Sequence, residues 1–302
     1  MVYWEFCMDF ASEGASNGQV VSQSQSRMPW PAMLWFLALL LVCYAPVLQR
    51  LVRQWYYDED MGHGFFVPVL VAYIAWRERE RVLAVRPQPA WWGLLIVAWG
   101  AFQLYLATVG AELFLARTAF LISLVGCITF VAGWPVVRAL AFPLTLLLFM
   151  IAIPAVIYNQ ITFPLQLLAS ELAESALSLS GIPVLREGNV LEIPSQQLSV
   201  VEACSGIRSL LSLSFLALVY AYFFDRKVWM RLALLVATVP IAILANSGRV
   251  TVTGILSEID PELAEGFFHT ASGWVIFMTA LAMLILVHQG INLIYRLINR
   301  RK

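Results

Sequence analysis

The stretch SGIRSLLSLSFLALVYAYFF, residues 205–224, decides the fold class of this chain. It has 20 residues, of which only Arg208 carries a charge. A helix needs about 20 mainly apolar residues to cross the hydrocarbon layer of a membrane. The whole chain of 302 residues has the same character, with 61% hydrophobic residues, 13% charged residues and a mean hydropathy of +0.78. The sequence therefore predicts an integral membrane protein built of helices.

Eight segments of the sequence have the length and apolar content of membrane-spanning helices. We therefore expect about eight transmembrane helices, in an all-α membrane domain over residues 33–295. The second segment is the weakest, because it is short and contains Pro68. The eight segments are 33–50, 64–77, 91–109, 113–133, 137–157, 205–224, 229–246 and 271–290.

The positions of the basic residues predict how these helices are oriented, because short cytoplasmic loops carry an excess of lysine and arginine. With eight spans, the basic clusters fall on one side, together with a polar N-terminal segment (1–32) and a basic tail (296–302). That side is therefore expected to be cytoplasmic. Arg50 and Arg53 depart from the rule, since they fall on the opposite side beside acidic residues. The clusters are Arg77, Arg79, Arg81 and Arg86; Arg226, Lys227 and Arg231; and Arg296, Arg300, Arg301 and Lys302.

Residues 158–204 form the longest segment between predicted spans, and we expect them to make a small extracytoplasmic cap before the sixth span. Leucines recur there at helical spacing, which predicts an amphipathic helix at the membrane interface. Two short β-prone runs, 190–193 and 198–201, flank Pro194 and predict a β-hairpin that leads directly to Cys204. The helix pattern consists of Leu165, Leu168, Leu172 and Leu177 with Glu171 and Glu174.

Composition argues against several classes of function. Lysine plus arginine equals aspartate plus glutamate at 19 each, so net charge gives no support for a nucleic-acid partner. The four cysteines, Cys7, Cys43, Cys127 and Cys204, lack the close spacing of a zinc site or a disulfide framework. We therefore expect neither a metal nor a cofactor.

Cys204 differs from the other cysteines by its neighbours. It lies where a strand-like run gives way to the sixth span, at the N-terminal end of a predicted helix. The helix dipole and Arg208, four residues further on the same helical face, both favour the thiolate, which is the nucleophilic form. The alternative is a small buried side chain, which is what we expect of the other three cysteines.

Arg249 directly follows the seventh predicted span. An ionisable residue at a membrane boundary is costly to place there and is therefore a candidate functional residue. Asn246, Ser247 and Gly248, just before it, are expected to break the helix and to leave room for another backbone. The alternative is an interfacial anchor whose charged group reaches the polar headgroups.

Three histidines remain to be interpreted. His269 precedes the eighth span and lies near the position that a general base for Cys204 requires, although a capping or interfacial histidine is the alternative. His63 is expected on the same face, where it either shapes the site or competes for the role of base. His288, near the other end of the last span, is expected to have a structural role only.

Four short motifs resemble those of the exosortases, a family of multispanning membrane cysteine peptidases and transpeptidases that includes the archaeosortases. The cysteine motif is specific, and the resemblance covers essentially residues 33 to 295. Some members have an additional soluble domain after the last span, so the resemblance implies a version limited to the membrane domain. The motifs are Ala203-Cys204-Ser205-Gly206-Ile207-Arg208, Asn246-x-x-Arg249, His269-x-x-x-Gly273 and His63-Gly64.

The resemblance implies a function and a role for each residue. Cys204 would attack a peptide bond near the C-terminal sorting signal of an exported protein. In the best-known branch, this PEP-CTERM signal is a Pro-Glu-Pro motif, a transmembrane helix and a basic tail. The acyl-thioester would pass to water or to an acceptor such as an envelope glycan or lipid. Arg249 would stabilise the oxyanion or donate a proton, and His269 would act as general acid/base or transition-state stabiliser. Supporting residues would be Arg208, Ser205, Gly206, Asn246 and His63.

The resemblance also implies a location, which is a bacterial inner membrane with the active site at its periplasmic face. Two other classes of function share the predicted topology. A transporter or channel is expected to have charged residues in mid-span or discontinuous helices near the bilayer centre. A lipid-linked acyltransferase or a non-catalytic envelope polysaccharide assembly protein would not require Cys204, Arg249 and His269 together. We favour the peptidase, because the reactive residues cluster at one predicted face.

Overall fold

The computed structural model describes residues 28–199, 205–225, 227–260 and 266–299, with the backbone alone at residues 59–60, 205–209 and 266–272. Most of these residues are helical. Two 3-10 helices, Glu59–Phe65 and Leu147–Met150, interrupt the series of α-helices. The α-helices are α1 (Trp30–Cys43), α2 (Ala45–Tyr57), α3 (Phe66–Arg77), α4 (Arg79–Ala84), α5 (Gly93–Val109), α6 (Leu113–Val131), α7 (Trp134–Ala139), α8 (Ala141–Leu146), α9 (Ala155–Leu179), α10 (Ser205–Phe224), α11 (Val228–Ile259) and α12 (Gly266–Asn299).

Three of the described helices are long and apolar enough to cross a membrane by themselves, namely α6, α11 and α12, the last over Gly273–Asn299. Two helix pairs pass the same test only as bent pairs. α1 and α2 meet at 72°, and the segment Ala141–Met150 meets α9 at 90°. α5 and the Leu210–Phe224 part of α10 are apolar but shorter. The described part of the chain therefore has three to five candidate spans, and the expected count of eight is not confirmed.

The prediction of one continuous span over 33–50 was wrong, because the chain bends at Tyr44. Pro46 lies in the first turn of α2, where it has no backbone N–H to continue the helix from α1. The buried Tyr44 hydroxyl donates to the Gly100 carbonyl at 3.4 Å and lies 2.8 Å from Ser123 Oγ. These contacts satisfy its polar group inside the bundle.

The predicted span 137–157 is also divided. α7, α8 and the following 3-10 helix cover its first part, and the chain leaves the helical conformation before Pro154. A proline disfavours the helical conformation in the residue that precedes it, so α9 begins only at Ala155. The predicted span 64–77 likewise contains a short helix, α3, which follows the first 3-10 helix.

α5 and α6 form a hairpin with small residues between the helices. A Cβ atom at Gly93 would clash with the backbone at Phe130, and one at Gly100 would clash with Ser123 Oγ. Small residues allow membrane helices to approach closely. The turn of this hairpin carries Glu112, whose carboxylate accepts from the Leu115 N–H at 2.9 Å and so caps α6.

Basic residues from distant parts of the sequence meet at one end of the molecule. Tyr222 at the end of α10 donates a hydrogen bond to the Glu78 carboxylate after α3. Lys227 Nζ lies 3.7 Å from the centre of the Tyr295 ring near the end of α12. Arg77 also lies 5.0 Å from the centre of the Phe223 ring, so parts of the predicted basic clusters meet at this end. The sidedness itself stays a prediction.

The same end contains a buried polar group around His288. Its Nε2 lies 3.6 Å from Asp225 Oδ2, and both side chains are about one-tenth exposed or less. Burial raises the pKa of the Asp225 carboxyl. Hydrogen bonds from the Lys227 N–H and from His288, with the charges of these residues, lower it by more. Its pKa therefore lies below the ordinary value of 3.8.

A three-stranded antiparallel sheet follows α9, with the order β1 (Leu185–Glu187), β2 (Val190–Glu192), β3 (Gln197–Ser199). β2 and β3 correspond to the two runs that the sequence predicted, and β1 is an additional strand. The turn between β1 and β2 places Gly188 at φ +66°, which glycine adopts without strain. Whether this region forms a cap outside the membrane stays a prediction.

α9 covers the leucine pattern from which the sequence predicted an amphipathic helix, and its position at a membrane interface stays a prediction. Leu168 and Leu172 are exposed, as an apolar face toward a membrane would be, whereas Leu177 is buried and the buried face is formed mainly by small side chains. Small residues let α9 lie close against α11, while its exposed leucines suit an apolar surrounding. The buried residues are Thr162, Ala169, Ser170, Ala173 and Leu177.

Candidate functional site

α10, α11 and α12 share one hydrophobic core, which fixes how the three helices lie along one another. α11 runs antiparallel to α10, because the short connection 225–227 reverses the chain, and α12 runs parallel to α10. Polar contacts within this bundle define the register of each pair. The buried core residues are Leu213, Ala217, Ala221, Met230, Leu234, Ile241, Ala280 and Leu284.

The contact between Ser214 and Thr238 brings the start of α10 level with Ser247. Their hydroxyl oxygens lie 3.2 Å apart. Ser214 is nine residues after the first residue of α10, and Thr238 is nine residues before Ser247. Arg249 follows two residues later. Cys204, which immediately precedes α10 in the sequence, lies outside the described residues.

The contact between Tyr220 and His288 brings the start of α10 level with Gly273. The Tyr220 hydroxyl lies 3.0 Å from His288 Nδ1. Tyr220 is fifteen residues after the first residue of α10, and His288 is fifteen residues after Gly273. His269 precedes Gly273 by four residues, which is about one helical turn. The backbone of His269 is therefore within about one turn of the same level, and its side chain lies outside the described part of the chain.

Arg249 is buried inside the protein, with 3% of its surface exposed. Asn246, one turn earlier, is fully buried, and Ser247 is buried as well. A guanidinium stays protonated in proteins, and placing such a charge in the interior is costly. Burial to this extent is more than an interfacial anchor requires, because an anchor keeps its charged group among the headgroups or in water.

The prediction that Asn246, Ser247 and Gly248 break the helix was wrong. α11 continues through them to Ile259, and Thr251 Oγ1 donates to the Ser247 carbonyl within the continuous helix at 2.9 Å. Single serine and glycine residues weaken a helix only slightly. Tertiary packing beyond the expected end of the span is sufficient to keep this segment helical.

The packing that covers this segment comes from α9 and the sheet. Val250, which adjoins Arg249, is fully buried in a cluster with Leu177 and Leu198. A Cβ atom at Gly254 would lie 2.9 Å from Leu177 and 3.3 Å from Leu198. The Ser195 N–H donates to Glu258 Oε1 at 2.9 Å.

The chain between β3 and α10 is short. β3 ends at Ser199 and α10 begins at Ser205, so the segment that contains Cys204 is attached at both ends to elements that pack on α11. Of the expected supporting residues, Ser205, Gly206 and Arg208 lie in the first turns of α10, where only the backbone is described.

His63 connects the first 3-10 helix to α10. Its Nε2 lies 3.1 Å from the Phe149 carbonyl oxygen, and its Nδ1 lies 3.0 Å from Ser212 Oγ. A carbonyl can only accept, so Nε2 carries the proton, and in the neutral ring Nδ1 accepts from the serine hydroxyl. Ser212 is eight residues along the chain from Cys204, a distance of about 12 Å in a helix.

Trp55 supports the position of His63. Its Nε1 donates to the Met150 carbonyl at 3.0 Å, next to the carbonyl that His63 contacts. A Cβ atom at Gly64 would overlap the Trp55 ring, so the glycine after His63 permits this packing. Sequence reasoning singled out neither Trp55 nor Ser212, and the His63-Gly64 pair was the only signal that pointed to this contact.

The fold and its apolar helices define a multi-pass membrane protein. Residues 55–286 match the family model described as "Transmembrane exosortase (Exosortase_EpsH)". The chain therefore belongs to the transmembrane exosortase family, and the match includes the positions of His63, Cys204, Arg249 and His269. Searches of curated proteins and of solved structures gave no significant match.

Proposed function

We propose that this protein is a membrane cysteine peptidase or transpeptidase that cleaves the C-terminal sorting signal of exported proteins through an acyl-thioester on Cys204. The observation that carries this proposal is the register of three neighbouring helices. Their contacts bring three segments to about the same height along the bundle, namely the start of α10, Ser247 to Arg249 in α11 and the first turns of α12. Cys204, Arg249 and His269 belong to these segments or adjoin them. Family membership supports a membrane exosortase as the general class.

The first step of the proposed reaction forms the thioester. The Cys204 thiolate attacks the carbonyl carbon of the scissile peptide bond, and the electron pair of the C=O bond moves to oxygen. Arg249 stabilises the resulting oxyanion with its fixed positive charge. The tetrahedral intermediate then expels the amine, which takes a proton from His269, and the acyl group remains on sulfur.

The second step releases the acyl group. Water or the amine or hydroxyl of an acceptor attacks the thioester carbonyl, and His269 accepts the proton of the attacking group. The thiolate leaves, so the enzyme returns to its starting state without a cofactor. The acceptor class proposed for the transfer branch is an envelope glycan or lipid.

The two cationic residues are assigned different roles for a physical reason. Arginine does not give up its proton under physiological conditions, so it is a poor acid and a good permanent charge. Histidine titrates near neutral pH and can both donate and accept. We therefore assign charge stabilisation to Arg249 and proton transfer to His269.

A transporter is the second candidate, because the structure contains the discontinuous helices associated with that class. The bends between α1 and α2 and before α9 are 72° and 90°. Such bends occur at substrate sites in transporters. A transporter has no need of the thiol of Cys204, so replacement of this one residue distinguishes the candidates.

The proposal is tested by co-expression with a reporter that ends in a Pro-Glu-Pro motif, a transmembrane helix and a basic tail. Reporter size is followed by blotting for the intact chain and for Cys204→Ala. Cys127→Ala is the matched control, since Cys127 is a free, partly buried thiol in α6. We expect shortening with the intact chain and the control, and none with Cys204→Ala at equal membrane levels. Full processing by Cys204→Ala would refute the proposal.

A further inference from the structure

An open cavity of about 440 Å³ lies between α2, the start of α6 and the segment just before α9. This volume is within the range of about 300–1,000 Å³ of small-molecule sites. Three arginines line the cavity, namely Arg50, Arg53 and Arg117, together with Glu112. Arg249, the one proposed catalytic residue whose side chain is described, does not line it.

Arg117 is the unusual member of this group. It lies in α6 one turn after the helix begins, and only 4% of its surface is exposed. Its Nε is buried and has no hydrogen-bond partner among the residues that the structure describes. A buried arginine is ordinarily paired with a carboxylate or hydrogen-bonded throughout. This Nε–H donor is therefore unused within the described structure, in a residue that lines the cavity.

The charge of the cavity is not balanced from within. None of the carboxylates whose side chains are described lies within 4.0 Å of a guanidinium nitrogen of Arg50, Arg53 or Arg117. Among the lining residues that the structure describes, Glu112 is the only acidic one, and its carboxylate caps α6. The described lining thus carries three positive charges against one negative charge, which favours anions.

Apolar side chains also line the cavity. They are Leu113, Phe114 and Ile153, and α9 follows the lining residue Pro154 with the exposed side chains of Val156 and Ile157. In a membrane protein, an exposed apolar surface of this kind faces acyl chains. A cationic cavity that borders such a surface suits an amphiphile. Its anionic headgroup would bind the arginines, and its acyl chains would contact the apolar side chains.

The position of Arg50 and Arg53 in the chain also needs an explanation. In the proposed orientation they lie on the extracytoplasmic side, where arginine is disfavoured in short loops. Both precede residues 55–286, the part that matches the exosortase family. A binding role for the cavity explains why positive charge is placed on this side.

We propose that the cavity binds the phosphate of an anionic membrane phospholipid, with Arg117 at its inner end and Arg50 and Arg53 at its mouth. Guanidinium groups suit phosphate, because their paired N–H groups match two of its oxygens. This lipid site is independent of the thiol chemistry at Cys204 and does not require it.

The test measures phosphatidylglycerol binding to the purified full-length chain in a neutral detergent by native mass spectrometry. The variant is Arg50→Gln/Arg53→Gln, which removes two exposed charges. The matched control is Arg138→Gln/Arg296→Gln, which removes two exposed arginines elsewhere. We expect one tightly retained lipid, an apparent Kd raised roughly 20- to 30-fold in the variant, and a change below about twofold in the control.

Three competitors identify the source of the bound group. Phosphatidylcholine, inorganic phosphate and a sorting-signal peptide are each added at the concentration that saturates binding of phosphatidylglycerol, and none should displace it. Displacement by inorganic phosphate would show that the cavity binds a free anion and not a lipid. Displacement by a peptide with the carboxylate of the proposed sorting signal would make the cavity a peptide site. Either result, or equal affinity in the variant and the intact chain, overturns the proposal.

Arg117→Met supplies the second variant. A methionine preserves most of the apolar volume of the side chain and removes the charge. Its phosphatidylglycerol affinity should also fall, while its thermal midpoint in lipid-free detergent should not fall below that of the intact chain, because an unpaired buried charge is removed. Unchanged affinity in this variant would contradict the assigned role of Arg117.

Discussion

His63 Nδ1 lies 3.0 Å from Ser212 Oγ in α10, eight residues along the chain from Cys204. The other ring nitrogen contacts the Phe149 carbonyl at 3.1 Å. Both nitrogens are therefore engaged in contacts between elements of the fold. We infer that His63 positions α10 and does not transfer the proton in the reaction, which distinguishes the two roles that the sequence left open.

Replacing His63 tests this distinction. His63→Gln keeps an N–H donor for the Phe149 carbonyl and should retain most of the processing, whereas His63→Ala should be destabilised by about 1–3 kcal/mol. The dependence of the processing rate on pH should be the same in His63→Gln and in the intact chain. Loss of one limb of the pH profile in His63→Gln, at an unchanged thermal midpoint, would identify His63 as the base.

Arg249→Lys should not be tolerated as a conservative change. The ammonium of lysine cannot reproduce the planar, forked donor geometry of the buried guanidinium. We expect the processing rate to fall by about 10²–10³-fold, as for the loss of one oxyanion donor. The control is Arg138→Lys at an exposed position, which should process at the normal rate. Near-normal processing by Arg249→Lys would show that Arg249 serves only as an anchor and does not stabilise the oxyanion.

Gly254→Ala should destabilise the packing of α9 and the sheet on α11. The added Cβ would lie 2.9 Å from a terminal methyl group of Leu177, which would have to shift although the Leu177 side chain is fully buried. We expect a loss of about 1–3 kcal/mol, measured as a lower thermal midpoint in detergent. Gly290→Ala is the matched helical control, because no atom lies within 4 Å of its Cβ position. That change should be neutral or stabilising by up to about 1 kcal/mol. Equal effects of the two changes would contradict this account of the packing.

Asp225 should make stability dependent on pH at low pH. Its pKa in the folded protein lies below 3.8, so the folded state favours the ionised carboxylate. The resulting stability is present above the ordinary pKa and is lost as the pH falls below about 4 and through the folded-state pKa. We expect the thermal midpoint of the intact chain to fall more between pH 5 and pH 3 than that of Asp225→Asn. Parallel curves for the two proteins would show that Asp225 does not contribute.

The sequence predicted the helical membrane character and the β-prone runs because these depend on local composition and spacing. It did not predict where helices break or continue. Tyr44 lies inside an apolar run that looks continuous. Pro46 permits a break there, but the polar contacts of Tyr44 at the bend are with Gly100 and Ser123, more than 50 positions away. α11, by contrast, continues as a helix past Ser247, because elements that are distant in the sequence pack on it.

The candidate site was predictable at the level of residue types and not at the level of contacts. Arg249 stood out in the sequence as a charge at the end of an apolar run, but its burial inside the protein depends on tertiary packing, which no local pattern reveals. Arg117 was hidden for the same reason, because an arginine near the start of an apolar helix resembles an ordinary interfacial residue.

The most direct test of the central claim is the mass of the enzyme during the reaction. The chain is incubated with the reporter, quenched in acid, digested and analysed by mass spectrometry. We predict that the peptide that contains Cys204 carries the reporter acyl group, that neutral hydroxylamine removes this group, and that Cys204→Ala carries none. Cleavage of the reporter without an adduct on Cys204, or with an adduct on another residue, would contradict the account.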